Sequence, residues 1–105
     1  MTKVFISQPM NGRGNQEIQE ERDRIFEKLK EKHGPDLIEV PSFFPPAAER
    51  GFGPVYLLSN AIRLLSEADI AVFAPNWDDA RGCRIEHMVC AEYGIPHEEL
   101  YEGGF

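Results

Sequence analysis

The sequence predicts an α/β fold: a three-layer sandwich around a mostly parallel sheet of about four to five strands. Three observations carry that prediction. The runs "KVFIS" and "DIAVFAP" are continuously apolar, as strands covered on both faces must be. Each gives way to a loop of turn-forming residues and then to apolar positions at helical spacing. Strands and helices alternate along the chain, and that order is the pattern of a parallel sheet flanked by helices. The chain has 105 residues, 42% of them hydrophobic and 28% charged. These values fit one ordinary globular domain spanning 1–105, long enough to build a core without disulfide or metal staples.

Taken in order, residues 3–7 form the first strand, ending at Ser7-Gln8-Pro9. The loop "QPMNGRGN" follows, and Asn15 is placed to cap a helix whose apolar residues Ile18, Ile25, Phe26 and Leu29 share one face. Gly34-Pro35 stops that helix. "DLIEV", 36–40, is the second strand, with Glu39 marking a partly exposed face. From Pro41 to Pro54 four prolines and two glycines specify a long loop of the kind that serves as a lid or a binding loop. "VYLLSNAIRLLSEA" is apolar nearly all round and predicts a buried helix that starts with Pro54 in its first turn. Asp69 is a local cap or turn residue before the strand at 69–75. A third helix runs from Gly82 to Tyr93, ended by Gly94 and Pro96, and the tail "IPHEELYEGGF" holds a short last strand.

The net charge of −7 opposes contact with a nucleic-acid backbone, so no nucleic-acid partner is expected. "MTKVFISQPM" is too short an apolar run for a signal peptide, and no stretch approaches the ~20 apolar residues of a membrane span. A cytoplasmic protein without membrane contact is the expectation. Cys83 and Cys90 lie on one helix about 10 Å apart, too far for a disulfide, and are expected to be free thiols. His87 shares their helical spacing, but three ligands on one short helix do not converge on an ion without a fourth from elsewhere, so no metal is expected. His33 and His97 are assigned to solvent.

Doubly wound α/β sheets of the flavodoxin or Rossmann type bind ligands beyond the carboxyl ends of their strands. That rule selects the loop after the first strand, from Ser7 to Asn15, and the loop after the third, from Pro75 to Gly82. In the first, Ser7, Gln8, Pro9 and Met10 lead into Gly12 and Arg13, where free amides and a guanidinium can hold a phosphate. In the second, Trp77 either stacks on a heterocycle or covers the sheet end; Phe43, Phe44 and Phe52 of the long loop pose the same choice. Asp78 and Asp79 either cap the next helix or donate a proton to a leaving group. Arg81 and Arg84 either hold an anion, beside Gly82, or balance the aspartates. Glu86, one turn into the helix, is expected to be kept ionised by the helix dipole. It is then either a dipole partner or a nucleophile toward a carbon bearing a good leaving group.

"KVFISQPM", "ADIAVFAPNW" and "RGCRIEHMVCAEYGIP" together resemble the nucleoside 2-deoxyribosyltransferase-like family. That pattern is a first strand ending in a small residue, Pro and Met, then a strand introduced by Asp, then Gly-x-x-x-Glu opening a helix that closes in Ala-x-x-x-Gly-x-Pro. The match is nearest to a short phage and bacterial branch that carries Arg-Gly-Cys-x-x-Glu. The resemblance implies that Glu86 attacks the anomeric carbon of a deoxyribosyl group. It implies that an aspartate before the glycine handles the base, Asp79 or Asp78, although Asp79 stands one position out of register. Related deoxynucleoside 5′-monophosphate N-glycosidases hold phosphate with a first loop similar to Ser7, Gly12 and Arg13. A nucleoside or nucleotide ligand, no cofactor and a homo-oligomer are also implied. A module of the same build that binds a nucleotide without turning it over is the alternative.

Overall fold

The computed structural model describes residues 1–41 and 53–101. Most of the loop expected at 41–54 therefore lies outside the described residues, Phe43, Phe44 and Phe52 included. The elements are β1 (Thr2–Ser7), α1 (Asn15–His33), β2 (Leu37–Glu39), α2 (Pro54–Leu65), β3 (Ile70–Phe73), a single 3-10 turn (Trp77–Asp79), α3 (Arg81–Tyr93) and β4 (His97–Glu99). All strand pairs are parallel and the order is β2-β1-β3-β4.

Side-chain alternation along the strands creates the layers. Val4 and Ile6 of β1 and Val72 of β3 pack with Ile25 and Leu29 of α1 on one face. Phe5 of β1 and Ala71 and Phe73 of β3 pack with Leu64 and Leu65 of α2 and Cys90 of α3 on the other. The same period of two sends Ser7 to the α3 side and Gln8 to the α1 side. Connections leave central β1 toward β2 and then cross to β3, so the switch point falls between the carboxyl ends of β1 and β3.

Several expectations change. The N-cap of α1 is Gly14 in an extended conformation, with no side-chain cap, and Asn15 is the first helical residue. Only Leu64 and Leu65 of α2 are buried, whereas Val55 is 78% exposed. The apolar circumference of α2 is thus not a sign of burial all round, because its contacts with the sheet cluster fall at Ala61, Leu64 and Leu65 toward its C-terminal end. Asp69 is no local cap: its carboxylate accepts the Lys3 amide at 2.8 Å, and its own amide donates to the Lys3 carbonyl at 2.8 Å. It clamps β3 to β1 across 66 residues of chain.

Edge strand β4 is held by Leu100 N donating to the Phe73 carbonyl, 2.8 Å, and by a His–Glu pair on each side. His33 of α1 meets Glu98 at 2.8 Å and His87 of α3 meets Glu99 at 2.6 Å. His97, expected in solvent, is half-buried edge-on to Phe73 and His87. Among the described residues no helix is long and apolar enough to cross a membrane.

Candidate functional site

The two loops selected from the sequence begin side by side, because Ser7 pairs with Phe73 in the β1–β3 register and Ala74 N donates to the Ser7 carbonyl at 2.8 Å. Ser7 is the last residue of β1, buried and turned toward α3. Its hydroxyl donates to Glu86 Oε1 at 2.6 Å. Among the described residues Ser7 is the one hydrogen-bond partner of Glu86, which leaves Oε2 uncommitted. The carboxylate is only 7% exposed. Burial pushes its pKa from 4.5 up to about 7, with the Ser7 bond and the charge of Arg22 acting in the opposite direction.

That value corrects the expectation of a carboxylate held ionised by the helix dipole. Glu86 is the sixth residue of α3, past the first turn where free amides and the dipole act. Desolvation prevails over the dipole there. The buried stripe of α3 is Cys83, Glu86 and Cys90 rather than the Cys83-His87-Cys90 face read from spacing. Both thiols are free, and burial raises each to about 11, so neither is a ready thiolate nucleophile or ligand near neutral pH.

Gln8 is buried and does not point to a ligand space. Its Nε2 donates to the Ile18 carbonyl at 3.2 Å and to Glu21 at 2.9 Å, and its Oε1 accepts Arg22 Nη1 at 2.6 Å. Arg22, absent from the sequence-derived site, is 1% exposed. It pairs with Glu39 of β2 at 3.2 Å and reaches the Ile6 carbonyl at 3.4 Å. Burial pulls its pKa down while Glu39 and Glu86 oppose that pull. A sequence signal existed: Ile18, Arg22, Ile25 and Leu29 form a single i, i+4, i+7, i+11 stripe, so Arg22 occupies an apolar position.

In the first loop, Met10 and Arg13 close a turn through Arg13 N and the Met10 carbonyl, 3.1 Å, with Gly12 supplying the positive φ of 75°. Pro9 and Met10 are half-buried. Arg13 folds back onto this loop: Nη1 donates to the Pro9 carbonyl at 2.8 Å and to Glu21 at 2.9 Å, and Nε donates to Glu17. Hydrogen bonds from Glu21 and Glu17 raise its pKa. The guanidinium expected to hold a phosphate thus has two carboxylates against it.

In the second loop Asn76 takes the left-handed conformation, φ 65°, and aims the 3-10 turn back over the end of β3. Trp77 stacks on His87 with centroids 4.1 Å apart and planes 10° apart, and tilts against Phe73. One indole face therefore performs ordinary packing. Asp78 and Asp79 are exposed, and neither caps α3, whose N-cap is Ala80 without a side-chain bond. Arg84 Nη1 donates to the Asp78 carbonyl at 2.9 Å, fastening the turn to the helix. Arg81 is exposed at the first position of α3. Gly82 lies one turn before Glu86, and a Cβ there would meet nothing within 4 Å among the described residues.

The site is thus a buried carboxyl group, pushed up in pKa toward neutrality by burial and held, among the described residues, by one hydroxyl under the uncapped start of α3. Such a group can act as a nucleophile when ionised or as a hydrogen-bond donor when protonated. Among the described residues no group of three or more His, Cys, Asp or Glu can hold a metal ion. Comparison with protein-family models, curated proteins and solved structures finds no match to this chain.

Proposed function

We propose that the protein cleaves or exchanges the N-glycosidic bond of a deoxynucleoside or deoxynucleoside 5′-monophosphate, with Glu86 as nucleophile. The observation that supports this most is the buried Ser7–Glu86 pair at the switch point between β1 and β3, with Oε2 uncommitted among the described residues. In this reading Oε2 attacks C1′, the C1′–N bond breaks, and its electron pair leaves with the base, protonated by water or by Asp79 or Asp78. Water or a second base then takes the sugar from the glycosyl-carboxylate ester, restoring Glu86. No cofactor is required by these steps. The resemblance set out above adds to the reading, and so does the open space over Gly82.

The raised proton affinity of Glu86 favours a second reading, a module that binds a nucleotide through a neutral carboxyl donor and releases it unchanged. Chromatography of pooled deoxynucleosides and their 5′-monophosphates, incubated with wild-type and Glu86→Gln protein with and without a free acceptor base, separates the two. Base release or exchange by the wild type alone supports catalysis. Equal background in both proteins rejects it, and ligand-dependent thermal stabilisation then reports the binding module. A cytoplasmic setting accords with two free buried thiols, and a homo-oligomer with the exposure of Val55, Tyr56, Met88 and Tyr93.

A further inference from the structure

A buried arginine among Ile18, Ile25 and Leu29 is costly, because the desolvation of a guanidinium amounts to several kcal/mol and an apolar residue of similar volume is often as stable or more so. Glu39, its counter-charge, is only partly buried and sits on the edge strand. Among the described residues, two further bonds of Arg22 lead toward Ser7. Nη1 reaches the Ile6 carbonyl and the Gln8 side chain, the residues on either side of Ser7. Ser7 in turn holds Glu86.

We propose that Arg22 is a positioning residue for Glu86: it fixes the end of β1 that presents Ser7, and it supplies the buried positive charge against which Glu86 ionises. This rests on the reading of Glu86 as the reactive carboxylate. Among the described residues, the polar and titratable groups that bear on Glu86 are few. Ser7 comes from β1, Arg22 from α1, and the Cys83 and Cys90 thiols from α3 itself. Across the sheet face, α2 contributes Leu64 and Leu65, and β3 contributes Ala71 and Phe73. Arg22 is the one cation in that set. Glu39, paired with Arg22, carries the same sign as Glu86 and so acts on its ionisation in the opposite direction from Arg22.

The test is the titration of Glu86 itself, read by carbon-13 NMR in glutamate-labelled protein, with the signal assigned by its loss in Glu86→Gln. Arg22→Met is expected to move the midpoint up by about one pH unit or more, and Glu39→Gln to move it down. The double variant Arg22→Met/Glu39→Met replaces the whole ion pair by apolar side chains and keeps the upward shift in a folded protein. A folded Arg22→Met or double variant whose Glu86 titrates as in the wild type overturns the proposal. If neither folds, Arg22→Gln decides, being neutral yet polar enough for this site: a raised midpoint supports the role of Arg22, and an unchanged one rejects it. Arg22→Lys retains charge without the fork to Ile6 and Gln8, so a midpoint between wild type and Arg22→Met separates the charge from the positioning. Loss of the proposed activity altogether leaves these titrations intact, so the two readings fail independently.

Discussion

For a nucleophilic Glu86 the ionised form is the working form, and its proton affinity of about 7 places the change within the ordinary pH range. Turnover is therefore expected to rise with pH along a limb centred near 7, measured as kcat/KM for the nucleoside substrate. Ser7 favours the ionised form through its 2.6 Å donation. Removing it in Ser7→Ala is expected to carry the limb upward and to lower the rate roughly tenfold at pH 6, with a smaller loss at pH 8.5. An equal loss at both pH values would show that Ser7 orients the carboxylate without tuning it. Trp77 and His87 lie beside this chemistry as packing: of the two roles the sequence leaves open for Trp77, a ligand platform or a cover for the sheet end, its stacking on His87 within the chain accords with the second.

For the elements, α3 carries both the reactive side chain and the access to it. Side chains on a helix lean toward its N-terminus, so position 82 shades position 86 from one turn before it. Among the described residues nothing imposes a steric need for glycine there, and glycine costs a helix up to about 1 kcal/mol relative to alanine. Gly82→Ala is accordingly expected to raise the melting temperature while weakening nucleoside binding or turnover. Greater stability with unchanged activity would show that the open space is not an approach route. At the other edge, β4 depends on His87 meeting Glu99 and on Leu100 bonding to Phe73. In His87→Ala the Leu100 amide is expected to exchange with solvent faster by an order of magnitude or more, as native-state hydrogen exchange reads local opening.

These elements were legible in the sequence to different degrees, for physical reasons. Strands covered on both faces must be uniformly apolar, so β1 and β3 announce themselves, and the Gly-Pro and Gly-x-Pro stops end α1 and α3 near where they were expected. Burial was misread where only tertiary contact decides it. α2 is apolar yet meets the core toward its C-terminal end. Arg22 and Glu86 are charged yet sit on buried stripes. Capping failed for a related reason, since the 3-10 turn and the loop geometry place Ala80 and Gly14 rather than Asp79 and Asn15 at the helix starts.

On the scale of the whole molecule, the switch point sets a conflict between folding and chemistry. The sheet is covered on both sides, which leaves the carboxyl end of β1 inside the packed layers, and that is where Ser7 and Glu86 meet. Glu86 has a native proton affinity of about 7 against an ordinary 4.5, so between those values the folded chain binds a proton that the unfolded chain has released. Stability falls with rising pH wherever the native state holds more protons. The contribution is thus fully present below about pH 4.5 and is lost as pH rises through 7. At 1.36 kcal/mol per pH unit the difference amounts to about 3 kcal/mol. Glu86→Gln has no proton to lose. Urea unfolding of the two proteins is expected to give similar stabilities near pH 5 and a gap of a few kcal/mol in favour of Glu86→Gln near pH 8.5. A gap that does not widen with pH would mean that Glu86 reaches water more freely than its burial indicates. A gap that widens as expected would give the cost, in folding free energy, of keeping an ionisable carboxylate at this junction, and the variant that removes the cost should be the one without turnover.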